Sequence, residues 1–205
     1  MHEETLSKNT AIVLEKIAEI AKPFYLAGGT SLALQSGHRI SIDLDFFMED
    51  SFSTSLLVEK LKTIGKLKVE DQSERTINGS LDGVKISFFN YQYKLIFPTI
   101  AYKGINLADE RDIAAMKIVA ISDRGTKKDF VDLYVLLKKY SLEKILKFFN
   151  EKYKDCNYNM IHISKSLTYF FDADKNPDPE MLIGYDWNEI KKYITTTIDQ
   201  YMKFL

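Results

Sequence analysis

The stretch YLAGGTSLALQSGHRISIDLDFFM, Tyr25 to Met48, decides how the chain is read. It opens with an apolar run ending in Gly28-Gly29 and closes with Asp43-Leu44-Asp45 inside a second apolar run. Thirteen residues, Thr30 to Ile42, separate the glycine pair from the first aspartate. Strand side chains alternate, so Asp43 and Asp45 are expected on one face, with Ile42, Leu44 and Phe46 on the other. Carboxylates two residues apart on a strand sit about 6.5 Å from each other. At an effective dielectric of ~20 their repulsion is roughly 2.5 kcal/mol. A divalent cation between them offsets that, and a donor set made only of oxygen favours Mg2+ or Mn2+ over zinc.

The glycine pair lets the backbone bend sharply and lets a ligand approach the main chain. A helix over roughly Thr30 to Gln35 then starts at the turn, with its unbonded N–H groups and positive dipole end facing it. Gly28, Gly29, Thr30 and Ser31 therefore form an expected phosphate cradle. Arg39 offers a planar fork that suits a phosphate oxygen or, equally, a neighbouring carboxylate. A phosphate cradle followed by a cation-binding carboxylate pair is equipment for a nucleoside triphosphate.

Working outward, Asn9 to Lys22 has apolar residues at helical spacing and stops at Pro23, followed by a strand over Phe24 to Ala27. Ser53 to Gly65 reads as a second helix. Leu67 to Asp71, Glu74 to Leu81 and Val84 to Tyr93 read as strands, with Asp82-Gly83 a hairpin turn. A further helix follows Asp109, with Lys117 on an apolar face where an ammonium group needs an anion. Gly125 breaks it, and the next helix carries Asp129 and Asp132 at i and i+3. Leu142 to Tyr153, Asn159 to Phe171 and Trp187 to Phe204 are expected helices. The pairs Phe148-Phe149 and Phe170-Phe171 are expected in the core.

The Gly-Gly turn, the gap and the Asp-x-Asp strand resemble the opening motif of the DNA polymerase β-like nucleotidyltransferase superfamily. The fuller string GGTSLALQSGHRISIDLDFF is similar to that of the AbiEii-type nucleotidyltransferases, toxins of toxin–antitoxin and phage-abortive systems. A second block, DIAAMKIVAISDRGTKKDFVDLYVLL from Asp112 to Leu137, resembles the same branch. The resemblance implies an α+β fold: a polymerase β-like domain with a mixed sheet over 1–106, then a helical bundle domain over 107–205 that contributes the second half of the site. It implies Asp43 and Asp45 as metal ligands and catalytic residues. Lys117 would contact triphosphate oxygens, and Asp129 would be a catalytic or site-orienting carboxylate. Arg39, Arg124, Lys128 and Asp132 would complete the nucleotide pocket. A nucleoside triphosphate substrate, a tRNA end as acceptor and a cognate antitoxin protein also come from the resemblance. Such enzymes commonly carry a third carboxylate on a strand near Val84-Lys85-Ile86-Ser87-Phe88; here Ser87 holds that place. A small-molecule nucleotidyltransferase and a non-catalytic triphosphate-binding module are the alternatives.

The totals agree with a globular chain. Net charge is −1 over 205 residues, so nucleic-acid contact must come from local patches. The set Lys117, Arg124, Lys127, Lys128, Lys138 and Lys139 is the candidate for an RNA backbone. A single cysteine, Cys156, excludes an internal disulfide and fits the cytoplasm. The polar N-terminus is unlike a secretion signal, and no apolar run suits a bilayer. His2, His38 and His162 are too far apart in sequence for a local zinc motif.

Overall fold

A computed structural model describes Met1–Lys203; the expected end of the last helix at Phe204 lies outside the described residues. The chain divides into two compact units, Met1–Asp109 and Glu110–Leu205.

The first unit is built on a seven-stranded mixed sheet. Its strands are β1 (Tyr25–Leu26), β2 (Leu44–Met48), β3 (Leu67–Gln72), β4 (Thr76–Leu81), β5 (Val84–Asn90), β6 (Ile100–Tyr102) and β7 (Ile105–Leu107). Their spatial order is β3-β4-β5-β2-β1-β7-β6. β2 runs parallel to β5, and β1 parallel to β7; the remaining neighbours are antiparallel. The hairpin expected at Asp82-Gly83 is present: Leu81 pairs with Val84, and the turn residues have φ of 49° and 82°. Two consecutive positive φ values match the right-handed twist of the flanking strands.

Helix α1 (Lys8–Ala21) is capped by Ser7, whose hydroxyl accepts from the Thr10 N–H. Helix α3 (Thr54–Lys62) is capped in the same way by Ser53. Val13, Leu14, Ile17, Leu57, Val58 and Leu61 from these helices share one core with Leu26, Leu44, Phe46, Ile77, Leu81, Ile86 and Phe88 of the sheet. Phe46 stacks on Phe88 with centroids 5.0 Å apart, so β2 and β5 are joined by rings as well as by backbone. β2 alternates as expected from Asp43 onward: Leu44 and Phe46 are fully buried, while Asp43 and Asp45 are partly exposed. Ile42 departs from the expectation. It precedes the strand and is 51% exposed.

The second unit is helical: α4 (Glu110–Asp123), α5 (Lys127–Lys139), α6 (Leu142–Lys152), α7 (Met160–Ser166) and α8 (Trp187–Met202). α7 ends five residues earlier than its apolar pattern suggests. After Ser166 the chain tightens: Thr168 N–H bonds Lys165 O at 3.2 Å, and Tyr169 N–H bonds Ser166 O at 3.1 Å. Phe149 is core as expected, whereas Phe171 is 61% exposed.

Between α4 and α6 lies an ion pair that sequence alone did not reveal. Lys152 Nζ is 2.8 Å from Asp112 Oδ1, with both side chains fully buried. Removing one partner leaves an uncompensated buried charge, which costs about 3–5 kcal/mol. Urea denaturation of Lys152→Met should show a loss of that order, and adding Asp112→Leu should restore most of it. An unchanged midpoint for Lys152→Met would contradict the pairing.

Candidate active site

In the first unit the site grows from α2 (Gly28–Ser36) and the head of β2. Gly28 has φ of +68°, a left-handed conformation that costs an ordinary residue roughly 1–2 kcal/mol. A Cβ there would stand 3.3 Å from Asp45 Oδ2, so Asp45 lies directly beside the turn. Ala27 N–H bonds the Asp45 carbonyl at 3.0 Å, locking the turn to β2.

Gly29 is glycine for a different reason from the one expected. A Cβ there would overlap the Arg39 guanidinium, which fills the space a side chain or ligand would take. Arg39 is 2% exposed and donates from Nη1 to the Ile40 carbonyl at 3.0 Å. The structure thus places Arg39 as a brace beneath the glycine turn, not as an exposed fork awaiting phosphate. Thr30 and Ser31 are likewise turned inward. Thr30 hydrogen-bonds the Asp43 carbonyl and stands 2.8 Å from Ser41 Oγ. Ser31 Oγ reaches the Ala108 carbonyl at 3.4 Å and accepts from Gln35 Nε2 at 3.2 Å. Their hydroxyls belong to the protein; what this turn offers an anion is the main-chain N–H groups of the first turn of α2.

The sheet adds a polar row. Asp45 pairs with Ser87, Ser87 with Asn78, and Asn78 with Asp71, so the four share a face across β2, β5, β4 and β3. Ser87, 3% exposed, stands next to Asp45 where the third carboxylate was looked for. Asn78 was missed by the sequence reading. Its register with Ser87 follows from the hairpin turn and could have been counted out from Asp82-Gly83. Among the described residues no group of three or more His, Cys, Asp or Glu side chains converges.

In the second unit, α4 and α5 bring Lys117, Arg124, Asp129 and Asp132 together. Lys117 Nζ is 2.9 Å from Asp129 Oδ1 and 2.6 Å from Asp132 Oδ2. Arg124 donates from Nε and Nη2 to the two oxygens of Asp129, at 3.0 and 3.1 Å. Thr126 adds its hydroxyl, 2.7 Å from Asp129 Oδ2, and its N–H at 3.3 Å. Asp129 therefore caps the helix that carries it while holding two cations. Burial alone would raise its pKa. The charge of Lys117 and the hydrogen bonds and charge of Arg124 outweigh that and hold it well below the usual carboxylate range.

The proposed basic track breaks up. Lys117 and Lys127 are buried, and Lys127 is 2.9 Å from Asp178. Lys139 meets Glu110 at 2.6 Å, and Lys138 lies 3.8 Å over the Tyr193 ring. Lys128 is exposed, and the Arg124 side chain is 65% exposed despite its pairing.

A mixed sheet with a carboxylate beside a glycine turn, followed by a helical unit, is the architecture of a nucleotidyltransferase. The model of the nucleotidyl transferase AbiEii toxin family, a type IV toxin–antitoxin system, matches residues 12–107 and 94–199, and the chain belongs to that family. An uncharacterised protein of Aquifex aeolicus (strain VF5) is 38% identical over 209 residues, covering 97% of this chain and 98% of that protein. The fold is similar to that of a candidate nucleotidyltransferase from Helicobacter pylori, with a TM-score of 0.60 and 17% identity over 100% of this chain and 94% of the other. It is also similar to MenT4, a nucleotidyltransferase toxin of Mycobacterium tuberculosis H37Rv, with a TM-score of 0.57 and 15% identity over 91% of this chain and 83% of that one.

A depressed carboxylate stabilises the fold above its unfolded pKa of about 3.9 and loses that contribution as pH falls through the folded value. Asp129→Asn should cost roughly 3–5 kcal/mol near pH 7. In urea titrations the gap between native protein and variant should stay level from pH 7 to about 5 and shrink below about pH 4. An equal gap at pH 3 and pH 7 would contradict the charged network.

Proposed function

We propose that the protein transfers a nucleoside monophosphate from a nucleoside triphosphate to an acceptor hydroxyl, with Asp43 and Asp45 holding Mg2+ or Mn2+. The observation that carries this reading is Asp45 lying against Gly28, at the start of α2. Two carboxylates without a third acidic partner suit a cation that keeps its other positions for water and phosphate oxygens. Bound there, the cation would neutralise charge on the triphosphate.

The chain's own groups do the rest. Main-chain N–H groups from Gly28 to Ser31 orient phosphate oxygens, and Arg39 keeps the turn in shape from below. Asp129 and Asp132 act as positioning carboxylates that fix Lys117, with Arg124 fixed by Asp129. By the resemblance, Lys117, Arg124 and Lys128 would answer the charge on the departing pyrophosphate. The acceptor hydroxyl forms its bond to the α-phosphorus as the bond to pyrophosphate breaks; pyrophosphate leaves with the electron pair, and the hydroxyl proton passes to solvent. The resemblance favours a tRNA end as acceptor, a toxin acting in the cytoplasm and a cognate antitoxin that restrains it. No helix among the described residues is long and apolar enough to cross a membrane.

Ser87 beside Asp45 favours a second reading, a module that binds triphosphate without turning it over. Label transfer separates the two. Each α-labelled triphosphate is incubated with magnesium and either total RNA, purified protein or small acceptors. The native chain should label RNA, while Asp43→Ala and Lys117→Ala should lose at least a hundredfold of that activity, the scale of removing one preorganised charge. Label on small acceptors alone would move the reading to a small-molecule transferase. Triphosphate binding without any transfer would favour the non-catalytic module.

A further inference from the structure

We propose that a cleft wholly within the second unit, where the end of α4 faces α7 and the turn after it, binds one nucleotide unit. The cleft has a volume of about 330 Å³, at the small end of ligand sites. It is lined by Asp123 and Arg124 from the end of α4, His162 and Lys165 from α7, and Tyr169 and Asp172 beyond it. Among the described residues no hydrogen bond or ion pair engages the side chains of Asp123, His162 or Lys165, so donors and an acceptor all face the opening without partners. Tyr169 is 56% exposed, a large aromatic surface left in water.

The mixture of charges selects the ligand. A bare anion would gain Lys165 but would also meet Asp123, and Arg124 already shares its charge with Asp129. Asp172 is held through one oxygen by Lys175 at 3.1 Å, while Asp123 has both oxygens to offer a donor. A nucleotide answers all of this. Its phosphate meets Lys165 and the exposed edge of Arg124, its base lies on Tyr169, and the base's N–H donors meet Asp123. Arg124 links the cleft to the Lys117–Asp129 network through its other edge. The occupant is therefore either a free nucleotide or one nucleotide of a single strand; taking it as the acceptor strand rests on the nucleotidyl-transfer reading.

The test uses the full chain in EDTA, so that binding is measured apart from catalysis. The probes are a fluorescent short single-stranded RNA and a fluorescent nucleoside triphosphate, with Tyr169→Ala and Lys165→Ala as variants. Both side chains are exposed, and thermal melts check that the variants fold like the native chain. Tyr169→Ala should weaken RNA binding about fivefold or more, the loss of one base stack. Lys165→Ala should reduce the slope of log affinity against log salt by about 0.7, the loss of one phosphate contact on a single strand. The same changes seen only with the triphosphate would identify a free nucleotide as the occupant. Native affinity for both probes in both variants would overturn the proposal, even if label transfer by the native chain succeeds. Failed label transfer with these binding losses intact would instead reject the transferase reading alone.

Discussion

Two like charges at the head of β2 set the terms for the rest of the first unit. Asp43 and Asp45 are partly exposed, while Leu44 and Phe46 between and after them are fully buried. The strand cannot rotate to separate the carboxylates without exposing that apolar pair, and burying a Phe or Leu is worth roughly 1.5–3 kcal/mol each. The core thus holds the acids in place beside the glycine turn. Gly28 makes room for Asp45 by taking a left-handed turn with no side chain, against Asp45 itself.

The second unit solves a different electrostatic problem by pairing. Lys117, Arg124, Asp129 and Asp132 balance in charge, and Asp129 spends both oxygens on cations and on the cap of its own helix. Such a carboxylate is poorly suited to accept a proton, since its pKa is held far below neutrality. What it does within the unit is orient: the Lys117 ammonium and the Arg124 guanidinium are held at fixed geometry.

Much of this was legible in the residues. The period-two alternation marked β2, the Asp-Gly pair marked the β4–β5 hairpin, and Ser53 sits where a helix start was expected. Spacing also placed Lys117 on a face where it had to meet anions, and Asp129 and Asp132 are those anions. Side-chain direction was less accessible. Nothing in the nine residues between Gly29 and Arg39 says that a guanidinium will fill the space beneath that glycine, because the chain returns through an irregular segment. Thr30 and Ser31 were read as part of a phosphate cradle, but a helix start also buries side chains, and their hydroxyls found partners at Asp43 and Ala108. Long-range pairs such as Asp112 with Lys152 depend on how α4 meets α6, which local periodicity does not encode. Ile42 and Phe171 show the same limit from the apolar side: both fit a buried pattern, and both face water.

The account stands on a cation being drawn to Asp43 and Asp45. Uptake of Mn2+ by the purified chain, followed by electron paramagnetic resonance with and without a non-hydrolysable nucleoside triphosphate, measures this most directly. The native protein should take up the ion, and more tightly with the nucleotide present, while Asp45→Asn should lose uptake in both conditions. Native protein that leaves all the manganese free, with nucleotide or without it, would contradict the account.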